Sequence, residues 1–331
     1  MIIETQLPHH NAFLIQEHIS LCDKNWFRTG GIARYYAAPI SSDDFKQALM
    51  FAHMHAMPIF VLGEGANCLI SDNGFNGLII RPQLRTITSA EVSDDIIHVT
   101  AGSGVSMEEL IHYCLSNHYS GLEEFSGIPG TVGGSIYINL HYFSFLIEHF
   151  LVSATVIDAT TYTVQTVSPK WFSFGYDYSL LHEKKHFLID ATFSLKKVSE
   201  IKAAYAQGRS DEIIRHRHAR YPTQNSCGSF FRNFHDHEVS LISNNKKMIY
   251  AAYYLDKVGV KGTLQSGNAL VSHQHANMIV NKGDATSADI IAVARHMQEM
   301  VYERFGIVLQ PECQLIGFNT YPLHTVQSLI Y

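Results

Sequence analysis

The stretch Ser126-Gly127-Ile128-Pro129-Gly130-Thr131-Val132-Gly133-Gly134-Ser135 packs four glycines and a proline into ten residues. That is too many for a simple turn, because glycine gives up more backbone freedom on ordering than any other residue. Such a loop is expected where main chain passes close to a flat or charged ligand. The plainer alternative is a crowded loop packed on a sheet.

Upstream, Val61-Leu62-Gly63-Glu64-Gly65-Ala66-Asn67-Cys68-Leu69-Ile70 reads as half a dinucleotide fingerprint. Cys68 stands where a third glycine would, and strand and turn follow instead of a helix, so the Rossmann reading fails on context. A glycine loop between strands still offers consecutive backbone N–H groups to a pyrophosphate. Gly63 and Gly65 permit the close approach and Asn67 has an amide to donate; a plain tight turn is the competing reading.

Around these loops the apolar spacing sets out short elements. Residues 42–57 read as a helix, with Ser41 and Asp44 spaced as a capping box and Phe45, Leu49, Phe51 and Ala52 in helical register. A buried strand follows at 59–62. Strands at 68–70 and 78–80 are joined by a turn at Asp72-Asn73-Gly74. A strand at 96–101 precedes a second capped helix from Ser106, with Glu109 in box position. Strands at 152–157, 162–167 and 187–195 come after the glycine-rich segment. A charged helical stretch spans 196–220, which puts a domain boundary near 197. Helices are expected near 247–258 and over 287–305, where Ile290, Val293, Ala294, Met297, Met300, Val301 and Phe305 form one apolar stripe of the kind that faces a core. Gly306 ends it and a strand begins at 307–309. Short helices among many strands, with few crossovers, indicate an α+β class.

At 331 residues, 46% apolar and 16% charged, the chain is globular and long enough for two or three domains. Its net charge of −6 argues against binding nucleic acid by phosphate neutralisation. The five cysteines, Cys22, Cys68, Cys114, Cys227 and Cys313, form no CxxC pair. A disulfide framework or zinc site is therefore not expected, and a reducing compartment fits. Twenty histidines, among them His9, His10, His53, His55, His216 and His218, are scattered without a ligand pattern. They read as surface or packing residues, with no metal. The N-terminal segment lacks a basic start followed by an apolar run, and no stretch approaches the ~20 apolar residues that span a bilayer. A cytoplasmic protein without membrane insertion is expected.

The two glycine loops, in this order and spacing, resemble the flavin-binding half of the UDP-N-acetylenolpyruvoylglucosamine reductases, the MurB family. The resemblance covers most of the chain. Asn25-Trp26-Phe27-Arg28-Thr29-Gly30-Gly31 is similar to the family's opening motif, and residues 62–72, Gly74, Gly77 and Gly121-Leu122-Glu123 continue it. Ser226-Cys227-Gly228-Ser229-Phe230-Phe231-Arg232-Asn233 resembles the proton-donor segment. Gly259-Val260-Lys261-Gly262, Val271-Ser272, His275-Ala276-Asn277 and Ile279-Val280-Asn281 match a further signature region, and Leu309-Gln310-Pro311-Glu312 the terminal strand with the catalytic carboxylate.

The resemblance implies a two-subdomain FAD-binding domain of the vanillyl-alcohol-oxidase-like kind over 1–197, split near 85, and an α+β substrate-binding domain over 198–331. It implies non-covalent FAD held by Gly63, Glu64, Gly65, Ala66, Asn67, Gly127, Ile128, Pro129, Gly130, Thr131 and Gly133. NADPH is the reductant and a UDP-sugar enolpyruvate the substrate; no obligate protein partner is expected. Ser229 matches the proton donor and Glu312 the carboxylate that polarises or helps protonate the intermediate. Tyr176, Arg232, Asn233, Lys261, His275 and Asn277 match substrate-binding positions, with Arg232 and Asn233 directed at the phosphates. Cys227 is rejected as a nucleophile because no base is recognisable by spacing.

The chain departs from the family in two places. Where members carry Tyr-Arg-x-Ser, with the arginine facing substrate, it reads Tyr176-Asp177-Tyr178-Ser179. That reverses a charge next to an anionic carboxylate; another cation (Arg215, Arg217, Arg220 or Lys261) substitutes, or the substrate differs. Where members continue Asn-Ala-Gly-Ala-Tyr-Gly, it reads Asn139-Leu140-His141-Tyr142-Phe143-Ser144. The extra tyrosine-bearing loop of one subtype is absent. A flavin oxidase or dehydrogenase of the same fold, or a flavin-binding homologue without catalysis, are the alternatives; retention of both Ser229 and Glu312 argues against the oxidase.

Overall fold

The computed structural model describes residues 2–4 and 13–330. His9, His10 and much of the N-terminal segment discussed above lie outside the described residues. The polypeptide divides into two compact units. The first comprises the chain up to His18, Arg34–Glu64 and Asn76–Arg217; the second comprises Ile19–Ala33, Gly65–Phe75 and the chain from His218 onward.

Two sheets organise the first unit. One has the strand order Ile2–Glu4, Leu14–Ser20, Ile32–Ala37, Phe75–Ile80, Ile59–Val61, the last two running parallel. Against it packs the helix Ser42–Met54, where half of the expected capping box forms: Ser41 Oγ accepts from the Asp44 N–H at 3.1 Å, whereas Asp44 Oδ2 accepts from the Ile40 N–H. The helix ends short of residue 57 because Ala56 takes φ +48°, ahead of Pro58. Phe45, Ala48, Leu49 and Ala52 meet Leu78, Ile80, Ile157 and Ile189 in one core. Each large side chain buried there contributes roughly 1.5–3 kcal/mol.

The second sheet is antiparallel throughout, in the order Val164–Val167, Leu151–Asp158, His186–Lys197, Ile96–Gly102, Ile87–Glu91, with Tyr119–Ser120 pairing the far end of His186–Lys197. Strong β-formers alternate along these strands. The helix Met107–Ser116 covers this sheet, its Ser106–Glu109 capping box formed in both directions. Leu110, Ile111 and Cys114 join Val99, Ala101, Phe125, Val132, Ile136 and Phe193 in a separate core. The long helix Glu200–Arg220 adds Ala206 to it.

The second unit is built around a three-stranded antiparallel sheet, Gln265–Ser266, Ala269–Val271 and Ile279–Asn281. The helices Ala251–Val258 and Ser287–Phe305 pack with it. The expected stripe Ile290, Val293, Ala294, Met297 and Val301 is buried, while Met300 and Phe305 pack at its margin. The helix is anchored by Asp72, whose Oδ2 accepts from both the N–H and the Oγ–H of Ser287 at 2.7 Å. Side-chain carboxylates at a helix start satisfy its orphan donors.

One strand expectation holds and one changes. Cys68–Ile70 and Phe75–Ile80 flank the turn at 72–74 but do not pair with each other. The former runs parallel to Gln314–Ile316 and the latter parallel to Ile59–Val61. Residues 307–309 form no strand. Leu309 is fully buried, its carbonyl accepts from Gln298 Nε2 at 2.8 Å, and Pro311 has no N–H for a ladder. The terminal strand is Gln314–Ile316, and Glu312 stands ahead of it. The α+β class read from the sequence holds.

Candidate functional site

In the first unit the glycine-rich loop is pinned at both ends and leaves its middle exposed. Met107 N–H bonds Gly130 O at 2.9 Å, Val132 N–H bonds Val105 O at 2.8 Å, and Gly133 N–H bonds Ser103 O at 3.0 Å. Ser126 Oγ and Ser210 Oγ share a buried hydrogen bond of 2.7 Å, and Arg217 Nε donates to Gly127 O at 3.0 Å. Thr131 caps the short helix Val132–Tyr137, accepting from Gly134 N–H.

Two glycines show what the loop is shaped for. Gly130 adopts φ +140°, and a Cβ on it would meet nothing within 4 Å, so the main chain there faces open space. A Cβ on Gly63 would come within 2.7 Å of Thr131 Oγ1. The two glycine loops, linked in the sequence only by order, are thus in direct contact. Glu64 completes the join: its Oε2 accepts from Gly130 N–H at 2.9 Å. Burial pushes the Glu64 carboxyl up, offset in part by that hydrogen bond and by the Arg81 charge. Beside the loop, Ser103 Oγ is buried with no hydrogen-bond partner among the described residues. Buried polar atoms of this kind mark a place where a ligand or water completes the bonding. Exposed backbone on one side and an orphaned hydroxyl on the other fit a flavin nucleotide.

The first glycine loop continues into the second unit. Gly65 adopts φ +71°, and its carbonyl accepts from Trp26 N–H at 3.0 Å. Asn67 O accepts from Gln314 N–H at 3.1 Å, while Asn67 Oδ1 is another buried oxygen without a partner among the described residues. Ala66 lies between them, half-buried.

The segment carrying Ser229 is clamped against the segment carrying Glu312. Phe230 O accepts from Glu312 N–H at 2.9 Å and Cys313 N–H at 3.2 Å, Arg232 N–H donates to Gln310 O at 3.0 Å, and Phe231 bridges Pro311. Ser229 and Glu312 therefore flank a single backbone pairing, although the sequence separates them widely. Asn277 braces it from the other side. Its main-chain carbonyl accepts from Phe230 N–H at 2.8 Å, its Oδ1 from Phe231 N–H at 3.1 Å, and its Nδ2 donates to Phe231 O at 2.7 Å. Nearby thiols are inert: burial drives the thiol pKa of Cys68 and Cys313 well up.

The other expected substrate-binding residues divide. Arg232 forms a two-pronged ion pair with Glu238, both contacts 2.7 Å, which holds the Glu238 carboxyl down at about 2. Asn233 Oδ1 accepts from Ala251 N–H at 3.2 Å and so starts the helix Ala251–Val258. Lys261 is exposed on a tight turn. His275 packs edge-on against Tyr221, and its Nδ1 accepts from Asn277 N–H. Burial, with smaller contributions from Arg220 and Lys261 opposed by Asp256, pushes it down to about 4, so it is neutral near pH 7. Tyr176 lies in the first unit, half-exposed, with the His141 ring tilted against it at 5.0 Å.

Glu238 escaped the sequence reading. It follows Arg232 in irregular chain, where no periodicity pairs charges. Asn139 escaped for a similar reason: it sits at φ +51° and donates to Gly175 O and Glu148 Oε1.

Two family models match this chain. The UDP-N-acetylenolpyruvoylglucosamine reductase C-terminal domain matches residues 220–316, and an FAD binding domain family matches residues 33–166. The chain is 34% identical to UDP-N-acetylenolpyruvoylglucosamine reductase of Trichormus variabilis, over 88% of this chain and 83% of the relative. It is 33% identical to the Chlamydia muridarum reductase, over 93% and 96%. The crystal structure of the Thermus caldophilus enzyme superimposes with a TM-score of 0.72 at 25% identity, covering 91% of this chain and 98% of that one.

Proposed function

Because this chain belongs to the UDP-N-acetylenolpyruvoylglucosamine reductase family, we propose that it reduces UDP-N-acetylglucosamine enolpyruvate to UDP-N-acetylmuramate with NADPH, through non-covalent FAD, in peptidoglycan precursor synthesis. Gly63, Glu64 and residues 127–133 hold the cofactor from the first unit, and Gly65, Ala66 and Asn67 continue that loop. Once bound there and reduced by NADPH, the flavin would supply the hydride for the terminal carbon of the enol ether. The chain's own task is then to steady the charge that builds beside the pyruvyl carboxylate and to protonate the adjacent carbon.

Ser229 donates that proton and Glu312 polarises the intermediate. A hydroxyl alone is a poor acid, so the pairing matters: Phe230 O bonded to Glu312 N–H is the observation that carries this assignment. Arg232, Asn233, Lys261, His275, Asn277 and Tyr176 form the substrate-binding set. Neutral His275 serves there as a hydrogen-bonding group. NADPH and a UDP-sugar are cytoplasmic metabolites, which supports a cytoplasmic location; among the described residues no helix is long and apolar enough to cross a membrane.

The test is anaerobic reduction with NADPH followed by the UDP-sugar enolpyruvate. The oxidised flavin spectrum should return with formation of UDP-N-acetylmuramate. Ser229→Ala should still be reduced by NADPH but be reoxidised slower by about 10²–10⁴, the usual contribution of general acid catalysis. A protein that takes up no FAD, or is reduced and never reoxidised by this substrate, overturns the proposal.

A further inference from the structure

The two departures from the family pattern, Asp177 and the bulky run 140–143, meet in space. His141 and Tyr142 form one edge of a small hairpin with Phe145 and Leu146. The His141 Nδ1 lies 3.6 Å from Asp177 Oδ1. Tyr176 packs on the imidazole ring. Asn139, at the end of the helix that leaves the glycine-rich loop, holds the 175–178 turn through Gly175 O. Arg217 ties the corner to that loop, bonding Gly127 O while lying 5.8 Å over the Tyr142 ring.

Depth decides what a ligand meets. The Asp177 side chain is 16% exposed and that of His141 31%, so the carboxylate sits behind the imidazole. With Nδ1 turned to Asp177, Nε2 is the nitrogen left to meet a ligand, and an N–H there can be donated to a carboxylate. Backbone geometry is spent on the arrangement: Asn139, Phe143 and Asp177 all take φ near +50° (51°, 51° and 52°). Left-handed non-glycine residues cost roughly 1–2 kcal/mol each, and such strain gathers at functional sites.

We propose that His141, positioned by Asp177, is a substrate-binding residue that receives the anionic carboxylate of the enolpyruvyl group. The proposal rests on the reductase reading above and names a hydrogen-bond donor beside its charge-reversed turn. Other charged groups surround the corner: Glu148 bonded to Asn139, Glu123 bonded to Gly121 N–H, Glu124 paired with Arg209, and Arg217.

The experiment separates the two half-reactions of the flavin-loaded protein by stopped flow. His141→Gln should leave reduction by NADPH unchanged and raise the KM for UDP-N-acetylglucosamine enolpyruvate about tenfold, the loss of one charge-assisted hydrogen bond. His141→Lys should recover part of the affinity, and Asp177→Asn should weaken binding a few-fold. Retained FAD in each variant reports an intact fold. A His141→Gln protein with wild-type KM overturns this proposal alone, whereas wild-type protein that the substrate does not reoxidise overturns the reductase reading beneath it.

Discussion

The glycine loops of the first unit and the Ser229–Glu312 clamp of the second are built by opposite means. In the first, the main chain at Gly130 faces open space, and side chains hold the loop: Thr131 as a cap, Glu64 as an acceptor for Gly130, Ser126 against Ser210. In the second, the main chain is consumed in pairing 229–232 with 310–313, and the chemistry is left to side chains. A backbone site tolerates no added atoms, while a side-chain site depends on what braces it.

The sharpest way to break this contrast is a single methyl group. Gly63→Ala places its Cβ 2.7 Å from Thr131 Oγ1, a branched and capping side chain that cannot swing away cheaply. FAD retention after gel filtration should be largely lost. Adding Thr131→Ala should restore part of it, at the expense of the helix cap; if the single variant keeps its full flavin content, the close approach is not what the loop needs.

A smaller effect is expected at the brace. Asn277→Ala removes both side-chain bonds to Phe231, leaving a buried donor and acceptor unsatisfied. That costs about 1–3 kcal/mol for each such group, read as a lower denaturation midpoint. FAD binding should survive it and turnover should not, because Asn277 braces the clamp and belongs to the proposed substrate-binding set.

The smallest effect is expected at Glu238. Removing its charge with Glu238→Gln releases Arg232 and should change the KM for the UDP-sugar by a few-fold at most, the reach of a partly exposed ion pair. The pH dependence has a definite sign. Arg232 holds the folded-state Glu238 at about 2, below its ordinary 4.5. The stabilisation is complete above pH 4.5 and is lost as pH falls toward 2. Acid unfolding of the variant should lack that contribution. His275 acts in the same direction at higher pH: held down at about 4, it contributes stability above its ordinary 6.5 that is lost on acidification from 6.5 to 4.

What was legible in the sequence follows the same line. Elements with local signals came through: the Ser106–Glu109 box, the helix Ser287–Phe305 and the strands around Leu151–Asp158 and His186–Lys197. Glycine spacing marked the loop, since backbone demands are written in local composition. Pairings between distant segments were hidden. Nothing near Cys68 reveals that its strand lies beside Gln314, and nothing near Arg232 announces Glu238. The charge shift near 197 suggested a boundary, yet the compact units divide between Arg217 and His218 and interleave earlier, because residues 19–33 and 65–75 pack with the C-terminal part. The contact of His141 with Asp177 was equally invisible, although both residues were flagged separately.

That interleaving bears on how the chain is made. Phe27 belongs to the core of the second unit, and its carbonyl accepts from Asn281 Nδ2 at 2.8 Å across 254 residues. At roughly 5–20 residues per second, the ribosome needs on the order of 10–50 s between these two residues. Through that interval Phe27 and Leu69 wait without their partners, while everything the first unit requires is synthesised by Arg217. The second unit can close only once the C-terminal third has left the exit tunnel. A nascent chain stalled before that point would display the opening motif as bare apolar surface, in reach of chaperones and proteases.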